Sequence, residues 1–442
     1  MGLLKAQVGE GIAILALLII VLLYKNHDPS ASPNLFISHL HTYKLRISSE
    51  FDTGIDSHRQ SPAVRNITLR ISSEFDTGTD SHRQSPVVRN ITQPRVALCL
   101  VGGARAFELT AESILRHLIN PHDKDWDPDV FLHAPLDSDA HKFTLLENIS
   151  PARLASARIF VPELLPESVL YQELLYGGTS PNGIQGLLQY FHLVEGCLDM
   201  IDQHEKRHGF RYDWVARTRV DGFWTGPVPP LSSLNASNYY IPIGSQFGGL
   251  NDRFGLGNRN ATVAALSRLS LLPFLHERGL RKLNSESAFR AQLEELQIPS
   301  ETIAVPFCIL SRRKYRWPLE RAEDVPVASI GTVGPLNGAK CRPCTPAATG
   351  PEAEQAASKL AKQWGWPGHV RGLALCDGSG DWEENWEDVY AEAAGRKFEN
   401  QRKRVLSRTR EECEADFLRF EEQWEAWDAP PAEQICSRQY SR

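Results

Sequence analysis

Asp221 closes the run "YDWVARTRVDGFW" (Tyr212–Trp224), which also carries Arg217 and Arg219. Trp214, Val215 and Val220 alternate loosely with the two arginines, a pattern that suits an extended segment whose polar positions need partners. A carboxylate at the carboxyl end of such a strand can hold Mg²⁺ or Mn²⁺ against a diphosphate, because hard cations take oxygen ligands and leave positions for phosphates. Arg217 and Arg219 can neutralise phosphate charge through bidentate contacts. The same residues also suit a partly buried salt-bridge cluster with Asp213.

Two further acids stand in similar settings. "YYIPIGSQFGGLNDRFGLGN" (Tyr239–Asn258) reads as a strand followed by a glycine-rich loop with Asn251, Asp252 and Arg253. Glycines let backbone approach a ligand closely, and Asp252 can accept a proton from a hydroxyl or bind one. In "LNSESAFRAQLEEL" (Leu283–Leu296), Glu286 falls near a helix start. It is either a second acid of the site or a first-turn carboxylate behind an Asn284 or Ser285 cap.

The elements that must position these residues alternate strand and helix. "RVALCLVGGARAF" (Arg95–Phe107) gives a buried strand at Val96–Val101, a Gly102-Gly103 turn, Arg105 and then a helical pattern. Such a turn lets backbone approach a phosphate at a helix start, although "GGARAF" lacks the full G-x-G-x-x-G spacing. "PDVFLHAPL" (Pro128–Leu136) predicts a second strand and "ARIFVPE" a third. Asn182–Gly209 predicts one long helix ending at a glycine. The alternation points to an α/β sandwich around a mainly parallel sheet. Trp214, Phe223 and Trp224 suit either the core or the face of a sugar ring.

The chain has 442 residues, enough for one large domain or two ordinary ones, and a formal charge of −6 without a basic block. That argues against a nucleic-acid surface. Residues 1–11 precede an apolar run, and 12–24 are expected to form a signal anchor. The run is shorter than the roughly 20 residues that span an average bilayer, which suits a thin early-secretory membrane. No small-residue cleavage site follows it, as a signal peptide would require. Asn66, Asn90, Asn148, Asn235 and Asn260 each begin an N-x-Ser/Thr triplet, the acceptor pattern of lumenal chains. Residues 25–94 are expected to be a flexible stem, within which 45–68 return almost verbatim as 69–92. Two copies are too few for a solenoid. Residues 95–335 form the expected main domain, and 336–442 a Cys- and Trp-bearing appendix whose Phe398, Val405, Phe417, Phe420 and Trp424 form a docking face. Eight cysteines in a lumenal chain favour disulfides over zinc, including Cys341 and Cys344 of a C-x-x-C. Cys99 and Cys197, in an apolar strand and helix, read as free buried thiols.

Taken as a series, "VALCLVGGARAF", "DVFLHAP", "YDWVARTRVDGFW", "GGLNDRFGLGN" and "LNSESAF" resemble a plant family of single-pass, glycosyltransferase-like proteins. They are similar, more distantly, to GT-A nucleotide-sugar glycosyltransferases. The resemblance covers Arg95 to about Phe307 and extends to "CRPC" and "LCDGSGDWEENWEDVY". It implies a GT-A-like Rossmann-type domain and a type II Golgi membrane protein with a lumenal body that moves a sugar from a nucleotide donor to a glycan or glycoprotein. Gly102, Gly103 and Arg105 match the donor loop, with Arg217 and Arg219 beside the phosphates. Asp221 matches the metal position of a D-x-D motif, here incomplete as Arg219-Val220-Asp221, so Mn²⁺ or Mg²⁺ is an expected but open requirement. Asp252 and Glu286 match acidic acceptor-side positions, with Asp252 placed before Glu286 as the base. Two other classes fit the same residues. One is a non-catalytic lumenal protein that binds glycans or scaffolds an enzyme on this fold; the other is a membrane-anchored adaptor.

Overall fold

The computed structural model describes residues 93–120, 126–360 and 370–437, apart from the side chains of Asn148, Ala152 and Thr179. The described residues fall within one compact unit. The expected anchor at 12–24, the repeat pair and the sequons at Asn66 and Asn90 lie outside the described residues. Among the described residues, no helix is long and apolar enough to cross a membrane.

β1 (Val96–Val101) is buried at all six positions, as an unbroken apolar run in a parallel sheet must be. Its side chains alternate between two cores. Val96, Leu98 and Leu100 pack with Phe107, Ala111 and Ile114 of α1 (Phe107–Ile114). Ala97, Cys99 and Val101 pack with Cys197, Met200 and Ile201 of α2 (Gly183–His208). α2 ends where expected, because Gly209 takes φ +66 there, a left-handed conformation that a residue without Cβ adopts at no steric cost.

β2 (Pro128–Pro135), β3 (Leu154–Phe160) and β4 (Trp214–Arg219) extend the sheet in parallel with β1. β5 (Gly222–Trp224) leaves it, β6 (Tyr239–Pro242) returns, and β7 (Phe254–Asn258) runs antiparallel between β4 and β6. β8 (Ser300–Ile303) then pairs in parallel with β6. The later strands are β9 (Phe307–Leu310), β10 (Val327–Ser329), β11 (Ala339–Arg342), β12 (Ala348–Thr349), β13 (Ala374–Leu375) and β14 (Ala426–Asp428). Among the described residues, the larger sheet has eight strands in the order β14-β3-β2-β1-β4-β7-β6-β8. It is mainly parallel, as expected, with β7 the reversed strand.

A smaller six-stranded sheet runs β12-β13-β10-β11-β9-β5. The residues after Pro335 are therefore woven into both sheets, and no appendix begins at 336. β11 pairs in parallel with β9, and β14 pairs in parallel with β3. Phe417, Phe420 and Trp424 do enter the main core, and Phe398 enters a second core beside Phe223 and Tyr390. The composition shift near Pro335 marks the onset of short, cross-linked strands.

All eight cysteines are paired, as Cys99–Cys197, Cys308–Cys341, Cys344–Cys376 and Cys413–Cys436. This corrects the expectation of free thiols at Cys99 and Cys197. Cys99 points from β1 toward α2, and the helix face that covers the strand carries Cys197, with a Cα–Cα separation of 6.3 Å. Residues 98 apart in sequence meet there because a helix crosses a strand. Cys341 pairs with Cys308 of β9 and Cys344 with Cys376 just after β13, which excludes a redox or zinc role for the C-x-x-C as a unit.

Trp214, Phe223 and Trp224 are core residues. Trp224 is 1% exposed and stacks on Phe307 at 4.8 Å between ring centroids. Trp224→Ala is expected to cost about 3–5 kcal/mol, since a large aromatic leaves a cavity that its neighbours only partly fill. Urea unfolding followed by circular dichroism measures the loss, and a change below 1 kcal/mol would contradict this packing.

Candidate functional site

The carboxyl ends of β1 and β4 meet at one edge of the larger sheet. Val220 donates its N–H to the Val101 carbonyl at 2.9 Å, carrying the parallel ladder to the end of both strands. Because β7 is reversed, the residues before it arrive at this same edge, and Thr218 of β4 is level with Phe254. Sheet topology thus sets Asp252 and Arg253 beside Arg219, Val220 and Asp221.

Asp221 is held in a bidentate pair, with Arg219 Nε 2.8 Å from Oδ1 and Nη2 2.6 Å from Oδ2. Burial alone would raise the Asp221 pKa, but Arg219, with Lys340 and Arg105, brings it below the usual carboxylate range. Burial opposes the charge on Arg219 as well, and Asp221 more than offsets that and raises its pKa. Both carboxylate oxygens face a guanidinium, and the other charges named near them are cations. This donor set does not suit Mg²⁺ or Mn²⁺, which take several oxygen ligands.

Arg217 stands one strand-pleat further in and is 1% exposed. Its Nη2 donates to the backbone carbonyl of Asp252, which also accepts from Tyr190 Oη at 3.0 Å. Arg217 is a positioning group for the β6–β7 loop, enclosed rather than open to a ligand. That loop is conformationally demanding, with positive φ at Gly244, Ser245, Phe247 and Gly248.

Asp252 is buried. Ser285 Oγ donates to its Oδ2 at 2.5 Å, and Arg268 Nη2 lies 3.8 Å from the same oxygen. Burial works to raise its pKa, but Arg268, Arg217, the Ser285 bond and Arg253 together hold it below the ordinary value. Glu286 is the second residue of α4 (Ser285–Glu295), whose N-terminus is capped by Asn284 in a reciprocal box with Ser287. Burial, followed by the Asp252 carboxylate, pushes Glu286 up to about 7, against Arg253 and Arg268. Capping and an acidic role therefore coexist, on Asn284 and Glu286 respectively. One carboxylate stays ionised while its neighbour titrates near neutrality, the division of labour that acid–base sites use.

Arg253 anchors the cluster by donating to Ser245 Oγ and the Gly338 carbonyl, both at 2.7 Å. Lys340 of β11 completes it, in the cross-strand row of Ile309 and Gly222, next to Asp221. Burial, then Arg253 and Arg219, depress its pKa well below the usual lysine range, although part of its surface remains exposed. The sequence reading missed Lys340, because nothing in "GAKCRPC" marks its strand as a neighbour of Asp221.

Gly102 and Gly103 have internal reasons to be glycine. Gly102 sits at φ +133, and a Cβ on Gly103 would lie 2.5 Å from Asp137 Oδ2. Arg105 is exposed beside them, within electrostatic reach of Asp221. Asn235 and Asn260 are exposed, Asn260 in the first turn of α3 (Arg259–Leu266). The side chain of Asn148 lies outside the described residues. A cavity of about 360 Å³ lined by Arg116, His117, Phe223, Thr225 and Tyr390 includes none of the charged cluster.

The family model described as "Domain of unknown function (DUF7796)" matches residues 91–442. The chain belongs to that family. No curated protein matches it. Three solved structures similar to it are glycosyltransferases. Mouse xyloside xylosyltransferase 1 in its apo form is 12% identical, with 48% of this chain and 85% of that one covered and a TM-score of 0.30. The bifunctional glycosyltransferase WbbM is 10% identical over 51% of this chain and 41% of that one, at 0.30. GlyE from Streptococcus pneumoniae TIGR4 is 12% identical over 48% and 45%, at 0.27. This chain thus spans less than half the length of the last two.

Two adjacent glycines test the loop. A Cβ on Gly249 would stand 1.9 Å from the Glu286 carbonyl oxygen, a backbone contact that cannot yield cheaply. Gly249→Ala is expected to cost about 1–3 kcal/mol or more through overpacking. Gly248→Ala meets no atom within 4 Å but must hold φ +83, at roughly 1–2 kcal/mol. Urea denaturation of both variants checks this, and only Gly249→Ala is expected to disturb the Glu286 titration.

Proposed function

We propose that this DUF7796 chain is a nucleotide-sugar-dependent glycosyltransferase whose donor diphosphate binds at the carboxyl edge of β1 and β4. The observation that carries this is the pairing of Asp252 and Glu286, with pKa values pushed apart, inside a ring of basic side chains formed by Arg219, Arg253, Arg268 and Lys340. A departing nucleoside diphosphate gathers negative charge, and fixed cations in a partly desolvated site stabilise it without reorganising. Arg219, with Arg105 at the rim, is placed for that task next to the turn at Gly102 and Gly103, and the Lys340 amine beside Asp221 can donate a hydrogen bond to a phosphate oxygen. Arg217 acts through Asp252.

Glu286 replaces Asp252 as the preferred general base. A base works best when its pKa lies near the operating pH, which favours the carboxyl at about 7 over one held low by arginines and a hydroxyl. Asp252 then serves as the fixed anion that keeps Glu286 basic. Mg²⁺ or Mn²⁺ at Asp221 is not part of this scheme, because Arg219 takes both of its oxygens. Four disulfides and the exposed Asn235 and Asn260 support a lumenal body. With the apolar run at 12–24, they support a type II, single-pass Golgi membrane protein acting on a glycan or glycoprotein.

The closed Arg219–Asp221 pair also favours a second reading, a lumenal glycan-binding or scaffolding protein that kept the fold without turnover. Nucleoside diphosphate release from a panel of nucleotide sugars, with Mn²⁺ or with chelator, separates the two. Release from one donor, unchanged by chelator, is expected. Glu286→Gln is expected to lower turnover by about 10²–10⁴-fold with donor affinity kept. Lys340→Met should weaken donor binding on the order of tenfold or more. Glu286 must be ionised to accept a proton, so turnover should rise with pH through about 7. Asp252→Asn removes the neighbouring charge and should move that rise to lower pH. Binding without release would favour the second reading, and neither binding nor release would sink both.

A further inference from the structure

A second cluster of chemistry-bearing side chains lies at the end of α2, away from the edge of β1 and β4. Residues 204–208 read H-E-K-R-H, so His204 and His208 stand four apart on one helix face. The H-E-x-x-H spacing on a helix presents two imidazoles to one metal ion, with the glutamate as a general base. Here the structure separates those two roles. Glu205 is buried, its two carboxylate oxygens each 3.0 Å from Arg259 Nε, and Oε1 also accepts the Tyr212 N–H at 2.8 Å. It has no freedom to activate a water, so peptidase-type chemistry does not follow from the spacing.

The imidazoles instead gain a third donor from 217 residues downstream. Glu425 Oε1 lies 2.8 Å from His208 Nε2 and 3.6 Å from His204 Nδ1. The three donor atoms are all within 4.8 Å of one another. Zinc bonds of about 2.0–2.1 Å to nitrogen and oxygen place tetrahedral ligand atoms about 3.3 Å apart, a spacing that the two observed distances bracket. An independent sign is His204 itself. It is only 6% exposed, yet its Nδ1, aimed at Glu425, has no hydrogen-bond partner. A buried polar atom without a partner is costly, and a cation between His204 and Glu425 would satisfy it. Phe131, Phe210 and Tyr212 pack against the His204 ring and hold its orientation.

We propose that His204, His208 and Glu425 form a structural site for zinc or a similar borderline divalent cation, with solvent in the open position. Two neutral imidazoles and one carboxylate are the donor set that Zn²⁺ favours. The site would fasten the residues ahead of β14 to the end of α2. β14 is three residues long and lies at the sheet edge, attached through a short parallel ladder with β3, the Arg158–Asp428 pair and the packing of Trp427 on Phe417 and Phe420. Arg207 is the competing cation, with Nη1 2.8 Å from Glu425 Oε1. It is about half exposed and can turn to solvent when a metal arrives.

The full-length chain, stripped with chelator, would be titrated with ZnCl₂ by calorimetry and followed by thermal unfolding. One zinc per chain and a higher melting midpoint are expected. Both should be lost in His208→Ala and in Glu425→Gln, which alter part-exposed side chains and keep the buried His204. Arg207→Gln should tighten zinc binding by removing the competing charge, an effect that a plain ion-pair cluster would not give. Absence of zinc binding in the unaltered chain would overturn the site. So would equal binding in His208→Ala and Glu425→Gln.

Discussion

A guanidinium taken out of water must find acceptors, and Arg217, on an interior strand, finds one in the backbone carbonyl of Asp252. Leaving such a charge unpaired would cost several kcal/mol. The β6–β7 loop is therefore bound to β4 despite its left-handed residues. The placement of Asp252 and Glu286 follows from that bond. Once the carbonyl is held, the Asp252 carboxylate falls between Ser285 and Arg268, and the start of α4 is drawn against Gly249. Glu286, largely removed from water and close to a fixed negative charge, then retains its own proton near neutrality.

The reversed strand makes this possible. In a wholly parallel sheet the residues before a strand lie at the amino edge, far from the carboxyl ends where ligands gather. β7 runs the other way, so its preceding loop and the turn after β4 share one edge. The smaller sheet adds the last component. β5 leaves Asp221 and pairs with β9, β9 pairs with β11, and Lys340 arrives in that row. The Cys308–Cys341 disulfide joins β9 to β11 beside it and limits how far that row can shift. A lysine from late in the chain thereby belongs to a site whose acids come from the middle.

Charge placement distinguishes this edge from one built around a hard metal ion. Asp221, in the turn after β4, is satisfied by Arg219 at the end of that strand, two residues away. Positive charge is supplied by side chains that need no dissociable ion, with planar guanidinium forks suited to phosphate oxygens. Their burial makes them strong and also makes them depend on one another, since Arg219 and Arg253 both depress Lys340.

Much of the local structure was legible in the sequence. The unbroken "VALCLV" run is β1, and the apolar spacing up to Gly209 is α2, because strand and helix periodicities are written within windows of a few residues. Asp221, Asp252 and Glu286 were legible as candidates for the same reason, each standing at an element boundary. Their chemistry was not. Which acid stays ionised depends on desolvation, on the charges of Arg268 and Arg217, and on the hydroxyl of Ser285, 33 residues from Asp252. Cys99 was readable as buried, but not as the partner of Cys197, 98 residues away. The sequence by itself determined which segments are strands and helices and which residue types stand at their ends. Tertiary structure alone decided who neighbours whom, and pKa, pairing and metal geometry depend on those neighbours, since electrostatic and covalent contacts act through space rather than along the chain.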